Sequence, residues 1–236
     1  MSAPLMAGAD SVPFFGLVGG STEGLGSYEG VAEYAHIGGN DGTLSITITN
    51  TSPADNGGYL TGFVFRILSV DQDALATLES TDYPSFDSCD DGSAPPYGSG
   101  FKGGAALNGN WTGGGDPSGG IPAGETGHFS FLVTSIDAQY LTAADFINGG
   151  SLPYGFVVRF RGFDDNGSDK VPAAASQCCT GDVDCDGDID GRDLGFLLGA
   201  WGANLGSPAD LNGDGEVNGL DLGLLLGAWG SCPSPN

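Results

Sequence analysis

Aspartates at fixed intervals are the residues of this chain best suited to chemistry. They recur in two stretches, Asp182 to Gly202 and Asp210 to Gly230, that share the frame D-x-[DN]-x-D-G-x-[IV]-[DN]-G-x-D-L-G-x-L-L-G-A-W-G at an offset of 28 residues, from 182 to 210. A loop that wraps an oxygen-seeking cation places ligands at positions one, three, five, seven (by backbone carbonyl), nine and twelve, with glycine at six for the sharp turn. In the first copy these are Asp182, Asp184, Asp186, Asp188, Asp190 and Asp193, with Gly187 at the turn. In the second they are Asp210, Asn212, Asp214, Glu216, Asn218 and Asp221, with Gly215. Hard oxygen ligands at this spacing suit calcium, and the expectation is two Ca2+ ions. Carboxylates held about 5 Å apart repel by roughly 3 kcal/mol per pair at an effective dielectric near 20. Neither loop should then close without its ion, and binding metal would be folding. An acidic solvated tail would need neither Ile189 and Val217 at the one apolar loop position nor the Leu-Gly-x-Leu-Leu-Gly-Ala-Trp that follows each loop.

Those following residues predict a short helix after each loop. Leu194, Leu197, Leu198 and Trp201, and again Leu222, Leu225, Leu226 and Trp229, recur at helical spacing as an apolar stripe. Gly195 and Gly199, like Gly223 and Gly227, leave a bare face. Helices this short are marginal alone, so each must be held by its loop and by its twin. Loop, helix and duplication together resemble a type I dockerin, a duplicated half EF-hand module with aspartate at position twelve. The resemblance covers residues 182–230 and implies two bound Ca2+ ions and docking onto a β-sandwich partner, the cohesin. Dockerins of cellulosomes usually carry a polar pair such as Ser-Thr at loop positions ten and eleven. This chain has Gly191 and Arg192, then Gly219 and Leu220, so the calcium scaffold carries over and the partner's identity does not.

The 236 residues carry six Lys and Arg against thirty Asp and Glu, a net charge of −24. The scattered basic residues cannot track a phosphate backbone, which argues against nucleic acid and against an anionic membrane surface. No apolar run is long enough for a spanning helix. Residues 1–18 lack a basic start and a sustained apolar core, so they do not read as an intact signal peptide. A secreted or cell-surface setting is expected from calcium chemistry and cysteine usage. Of Cys89, Cys178, Cys179, Cys185 and Cys232, the last can bridge to Cys178 or Cys179 across the repeat. Cys185 at loop position four points away from the metal. A zinc site is not expected, since His36 and His128 lie far from any cysteine pair.

Ahead of the repeat, the pattern predicts an antiparallel β-sandwich of jelly-roll or immunoglobulin type. Phe14 to Val18 reads as an edge strand or as a donor strand laid into another molecule. Further strands are expected at Val31–Ile37, Thr43–Asn50, Tyr59–Val70, Gly127–Ile136 and Tyr154–Phe163, with Arg66, Arg159 and Arg161 on wet faces. Thr142 should cap a helical turn through Phe146, with Asp145 completing a capping box. Residues 71–126 read as loops whose Tyr83, Phe86, Tyr97, Phe101 and Trp111 either pin the loops to the sandwich or stack on sugar rings. Asp164, Asp165 and Asp169 form an acidic turn or an accessory cation site. Phrases such as Thr43-Leu-Ser-Ile-Thr-Ile-Thr-Asn50 and Leu60-Thr-Gly-Phe-Val-Phe65 are more distantly similar to secreted bacterial surface proteins that pair a sandwich with a docking tail. The expected fold class is therefore two-domain: an all-β sandwich (1–171), a linker (172–181) and a small α-helical dockerin-like pair of loop-helix units (182–236).

No nucleophile elbow, triad or placed acid/base pair marks an enzyme. The leading expectation is a non-catalytic extracellular assembly protein whose calcium-folded module docks onto a cohesin-like sandwich, or onto the sandwich of another copy to give filaments. The other expectation is an accessory module, with polysaccharide as a ligand, tethered to a separate cohesin scaffold.

Overall fold

The computed structural model describes residues 10–16, 21–89, 92–113, 116–149, 154–164, 167–175, 179–183, 188–203, 207, 209–212 and 214–232. It divides into two compact units, Met1–Ala175 and Ser176–Asn236.

Strand β1 (Asp10–Gly16), β2 (Tyr28–Gly38), β3 (Asp41–Asn50) and β4 (Gly57–Phe65) open the first unit. After them come β5 (Leu75–Thr81), β6 (Phe86–Ser88), β7 (Gly92–Ser93), β8 (Ser99–Phe101), β9 (Gly103–Leu107) and β10 (Ile121–Pro122). The long strands β11 (Thr126–Thr134), β12 (Phe156–Phe163) and β13 (Ser168–Ala175) complete it. The hydrogen-bonded order is β5-β11-β3-β2-β1-β13-β12-β4-β9-β6, with β10 beside β4. Strict alternation drives the pattern: in β3, Leu44, Ile46 and Ile48 are buried, and Ser45, Thr47 and Thr49 face out. Phenyl rings from the two layers interlock between them, Phe63 meeting Phe129 edge-on at 4.9 Å and Phe65 meeting Phe131 at 5.2 Å.

Strand β13 joins the layers. Its residues Ser168–Pro172 pair with β12, and Ala173–Ala175 pair with β1. The layers are thus one sheet of eleven strands, ten in a single path with β10 beside β4, rather than two separate sheets of jelly-roll or immunoglobulin kind. The alanine run read as linker lies in this strand. β1 is flanked on both sides, so it is not an edge, while Leu17 and Val18 lie outside the described residues. Sequence periodicity also missed β9, whose Gly-Gly-Ala-Ala-Leu carries little strand propensity. Its glycines permit close approach: a Cβ on Gly104 would sit 2.3 Å from the Phe63 carbonyl.

The second unit corrects the remainder of the expected fold class. Its elements are β14 (Asp188–Ile189), α1 (Gly191–Gly199), β15 (Gly202–Ala203), β16 (Glu216–Val217), α2 (Gly219–Gly227) and β17 (Gly230–Ser231). No helical domain is formed; the chain is mostly β, and α1 and α2, nine residues each, are the only α-helices among the described residues. Three glycines in each nine-residue segment keep the helices short, and the flanking residues pair as strands. β14 pairs with β17, and β15 with β16.

Asp169 in β13 ties residues 21–26 to the sandwich. Fully buried, its carboxylate accepts from the Ser21 and Thr22 hydroxyls and from the backbone N–H of Glu23, Leu25, Gly26 and Lys170, at 2.7 to 3.0 Å. Those bonds leave it no free edge for the accessory cation considered from the sequence, and Asp165 lies outside the described residues. Burial raises the Asp169 carboxyl, but hydrogen bonds from Gly26, Ser21, Leu25 and Thr22 outweigh it and hold the group below its usual range. A depressed carboxyl stabilises the fold above its unfolded value and loses that contribution as pH falls through the lower folded one. Asp169→Asn should lower unfolding free energy by about 2–4 kcal/mol at neutral pH. In urea titrations the deficit should shrink as pH falls below about 4.

Candidate metal centre

The second loop is described almost whole. Asp221, at position twelve, has 0% exposure. Its Oδ1 accepts from the N–H of Leu211 at 2.9 Å and Asn212 at 3.2 Å, and its Oδ2 from Asn218 at 2.8 Å. The Asn218 side chain accepts from Leu220 N–H, so loop positions nine and twelve also form the capping box of α2. Hydrogen bonds from Asn218 first, then from Asn212 and Leu211, hold the Asp221 carboxyl below the usual range. Asp210 accepts from Asp214 and Gly215, Asn212 from Asp214, and Asp214 from Glu216, all through backbone N–H groups. These bonds curl the loop locally, but among the described residues no three of its carboxylates bring oxygens within 4.8 Å of one another. Glu216 is in β16, where position seven requires only a backbone carbonyl.

The first loop repeats these contacts. Asp193 is buried and accepts from Val183 N–H at 2.6 Å and Asp190 N–H at 2.7 Å. These match the Leu211 and Asn218 bonds to Asp221. Asp182 is buried at position one, and Asp188 contributes its backbone to β14. Asp184, Cys185, Asp186 and Gly187 lie outside the described residues. A carboxylate has about four acceptor sites, so Asp221 with three bonds to N–H groups keeps one for a cation. The donor set fits calcium in being all oxygen, and short aspartates at position twelve suit a carboxylate that must also hold its own loop.

Cys179 and Cys232 are joined in a disulfide with a sequence separation of 53. The Cys232 sulfur lies 3.3 Å from Asp182 Oδ2. With both sulfurs bonded to each other, the Cys179, Asp182 and Cys232 cluster offers a metal just one anionic ligand. Ile189, Val217, Leu197 and Leu225 are buried around this bridge, with Leu194 and Leu222 partly so. The rest of the expected stripe is not: Leu198, Leu226, Trp201 and Trp229 are about half exposed, joined by Phe196, Leu220 and Leu224.

In the first unit the loop aromatics pin. Trp111 at 1% exposure, Tyr97 and Phe101 pack with Val64 and Val157 into a second core on the outer side of β4 and β12. Phe86 is buried in the main core, and Tyr83 packs partly against it. None of these buried rings can stack on a sugar. Arg66, expected on a wet face, is 6% exposed, its guanidinium 4.4 Å from the centre of the Phe101 ring and its Nε donating to the Tyr154 carbonyl at 2.9 Å. The covering loop, carried by short glycine-rich strands, gave no periodic signal that could have revealed it. Sequence reasoning also missed the pairing of His128 with Asp82, Nδ1 to Oδ2 at 2.8 Å, because 46 residues separate them.

No family model matches the chain, and no curated protein is similar to it. Among solved structures, it is similar to a biomass-sensing module from an Rsgi-like protein of Clostridium thermocellum, described as resembling the family 3 carbohydrate-binding module of the cellulosome. The identity is 10% over 66% of this chain and 93% of that one, with a TM-score of 0.29. A second such module, from an Rsgi2 protein of the same organism, is 9% identical over 59% of this chain and 74% of that one, with a TM-score of 0.24. Backbones this divergent inform neither the fold nor the site.

Closing a loop of 53 residues with a disulfide contributes about 4 kcal/mol in the chain-entropy model. Cys232→Ser should therefore make residues 179–232 open to protease at denaturant concentrations where the first unit still resists, as read by limited proteolysis and mass spectrometry.

Proposed function

We propose that this chain is a non-catalytic extracellular accessory protein whose second unit closes around two Ca2+ ions and, once closed, docks onto a separate protein partner. The observation that carries this reading is the surface left on α1 and α2. Gly195 and Gly223 sit mid-helix, where glycine costs about 1 kcal/mol against alanine. A Cβ at either would meet nothing within 4 Å. Nothing described within the unit requires those glycines, and their bare backbone suits close approach by another chain. Around them lie seven large apolar side chains at 44% exposure or more, from Phe196 to Trp229. Apolar surface on that scale in a small unit is characteristic of an interface.

Calcium is supported by twin loops whose position-twelve aspartates make matching bonds. The sequence resemblance to type I dockerins favours a cohesin-like β-sandwich as partner. A net charge of −24 disfavours docking onto another copy, since like-charged surfaces must be brought together. An extracellular setting supplies calcium and suits the Cys179–Cys232 bridge. No described helix is long and apolar enough to cross a membrane.

Calorimetric titration of Ca2+ into the full chain should give two sites, with Asp193→Ala and Asp221→Ala each removing one. Gly195→Ala with Gly223→Ala should leave calcium uptake intact and raise the melting temperature of the second unit. The same pair should weaken calcium-dependent retention on an immobilised cohesin-type sandwich. Absence of any heat of uptake at saturating ion overturns the calcium reading, and unchanged retention by the glycine pair overturns the assigned face.

A further inference from the structure

The outer face of β1, β2, β3, β11 and β5 carries a second site. Antiparallel register sets its outward side chains in rows across the strands. One row runs Pro13, Val31, Thr47, His128. The next runs Ser11, Glu33, Ser45, Ser130, Ser80. At about 4.8 Å between strands, a row over five strands is about 19 Å long. From β2 onward the rows run along a cleft of about 430 Å³ walled by Glu33, Ser45, Thr47, Asp82, His128 and Ser130. Register between β11 and β5 shifts at Ser130 and Phe131, within this end of the face, and such bulges bend a strand locally.

One polar pair here is fixed. Asp82 accepts from the His128 backbone N–H through Oδ1 and pairs with His128 Nδ1 through Oδ2, both at 2.8 Å. With the Nδ1 proton engaged by the carboxylate, the neutral ring presents Nε2 as an acceptor. Beside it stand small hydroxyls that both donate and accept. None of the six basic residues of the chain lies in these rows, while Glu33 and Asp82 do line the cleft. That balance repels polyanions. Among the described residues the cluster with metal-ligand spacing lies elsewhere.

We infer that this face binds a neutral polysaccharide laid across the strands along the Pro13–Val31–Thr47–His128 row, with sugar hydroxyls meeting Ser45, Ser130 and His128 in the cleft. Pro13 and Val31, with Phe15 alongside them, supply apolar steps for the sugar C–H faces, and the cleft holds the part of the bound segment beyond them. This ligand is independent of the calcium loops, since no residue of the second unit takes part.

The test is affinity electrophoresis of the full chain in gels containing soluble neutral glycans (galactomannan, mixed-linkage β-glucan, glucomannan), with polygalacturonate as the anionic control. Retardation is expected in at least one neutral gel and not in polygalacturonate. His128→Ala should weaken it about tenfold in apparent affinity, and Thr47→Lys, which fills the row, should abolish it. Both side chains face outward, and unchanged circular dichroism confirms folding. Asp193→Ala should leave retardation unaltered, which separates this site from the docking reading. No retardation in any neutral gel, or retardation indifferent to both His128→Ala and Thr47→Lys, overturns the proposal.

Discussion

A carboxylate withdrawn from water must be given donors, and this constraint shapes the whole chain. With thirty acidic residues against six basic ones, cations cannot supply them. Among the described residues His128 meets Asp82 in a hydrogen bond on the surface. The buried carboxylates instead take backbone N–H groups and hydroxyls. Asp169 gathers four backbone N–H groups and two hydroxyls, and so fixes the chain entering β2. Asp193 and Asp221 do the same for the loops that precede α1 and α2. One chemical need thus organises both units, through local backbone geometry rather than long-range charge.

That organisation was partly legible in the sequence. Alternation in Thr43–Asn50 disclosed a strand with one face in the core, because a period of two has few other causes. The capping box at Thr142 and Asp145 was also readable, being local. What escaped was non-local. The loop over β4 and β12 buries Arg66 and Trp111 through contacts between residues far apart in sequence, so a cation expected in water lies over a ring. The switch of β13 between layers was hidden by an alanine-rich stretch that looks like a linker and pairs like a strand.

The candidate metal centre shows the same division. The types and spacing of its candidate ligands could be read directly, since a twelve-residue loop is a local object. The double duty of positions nine and twelve, as ligand candidates and as the start of α2, needed coordinates. So did the fate of the apolar stripe. Helical periodicity identifies a stripe but does not say what covers it, and here Leu197 and Leu225 turn inward while Leu198, Leu226 and both tryptophans do not.

The second unit has 61 residues, from 176 to 236, yet among its described residues the buried apolar set is Ile189, Leu197, Ala209, Val217 and Leu225. A core that small rarely supports an independent fold, and units of this size depend on staples. Two are covalent or backbone in kind: the disulfide, and the reciprocal pairing in which residues after α2 fasten the first loop while residues after α1 fasten the second. Because each loop is held by the other repeat, neither half can close alone. The carboxylates of the second loop still repel one another, and no basic residue stands among that loop's described positions to offset them. A divalent ion in each loop would supply the missing attraction, and it would leave the outward apolar surface free for a partner rather than spent on folding.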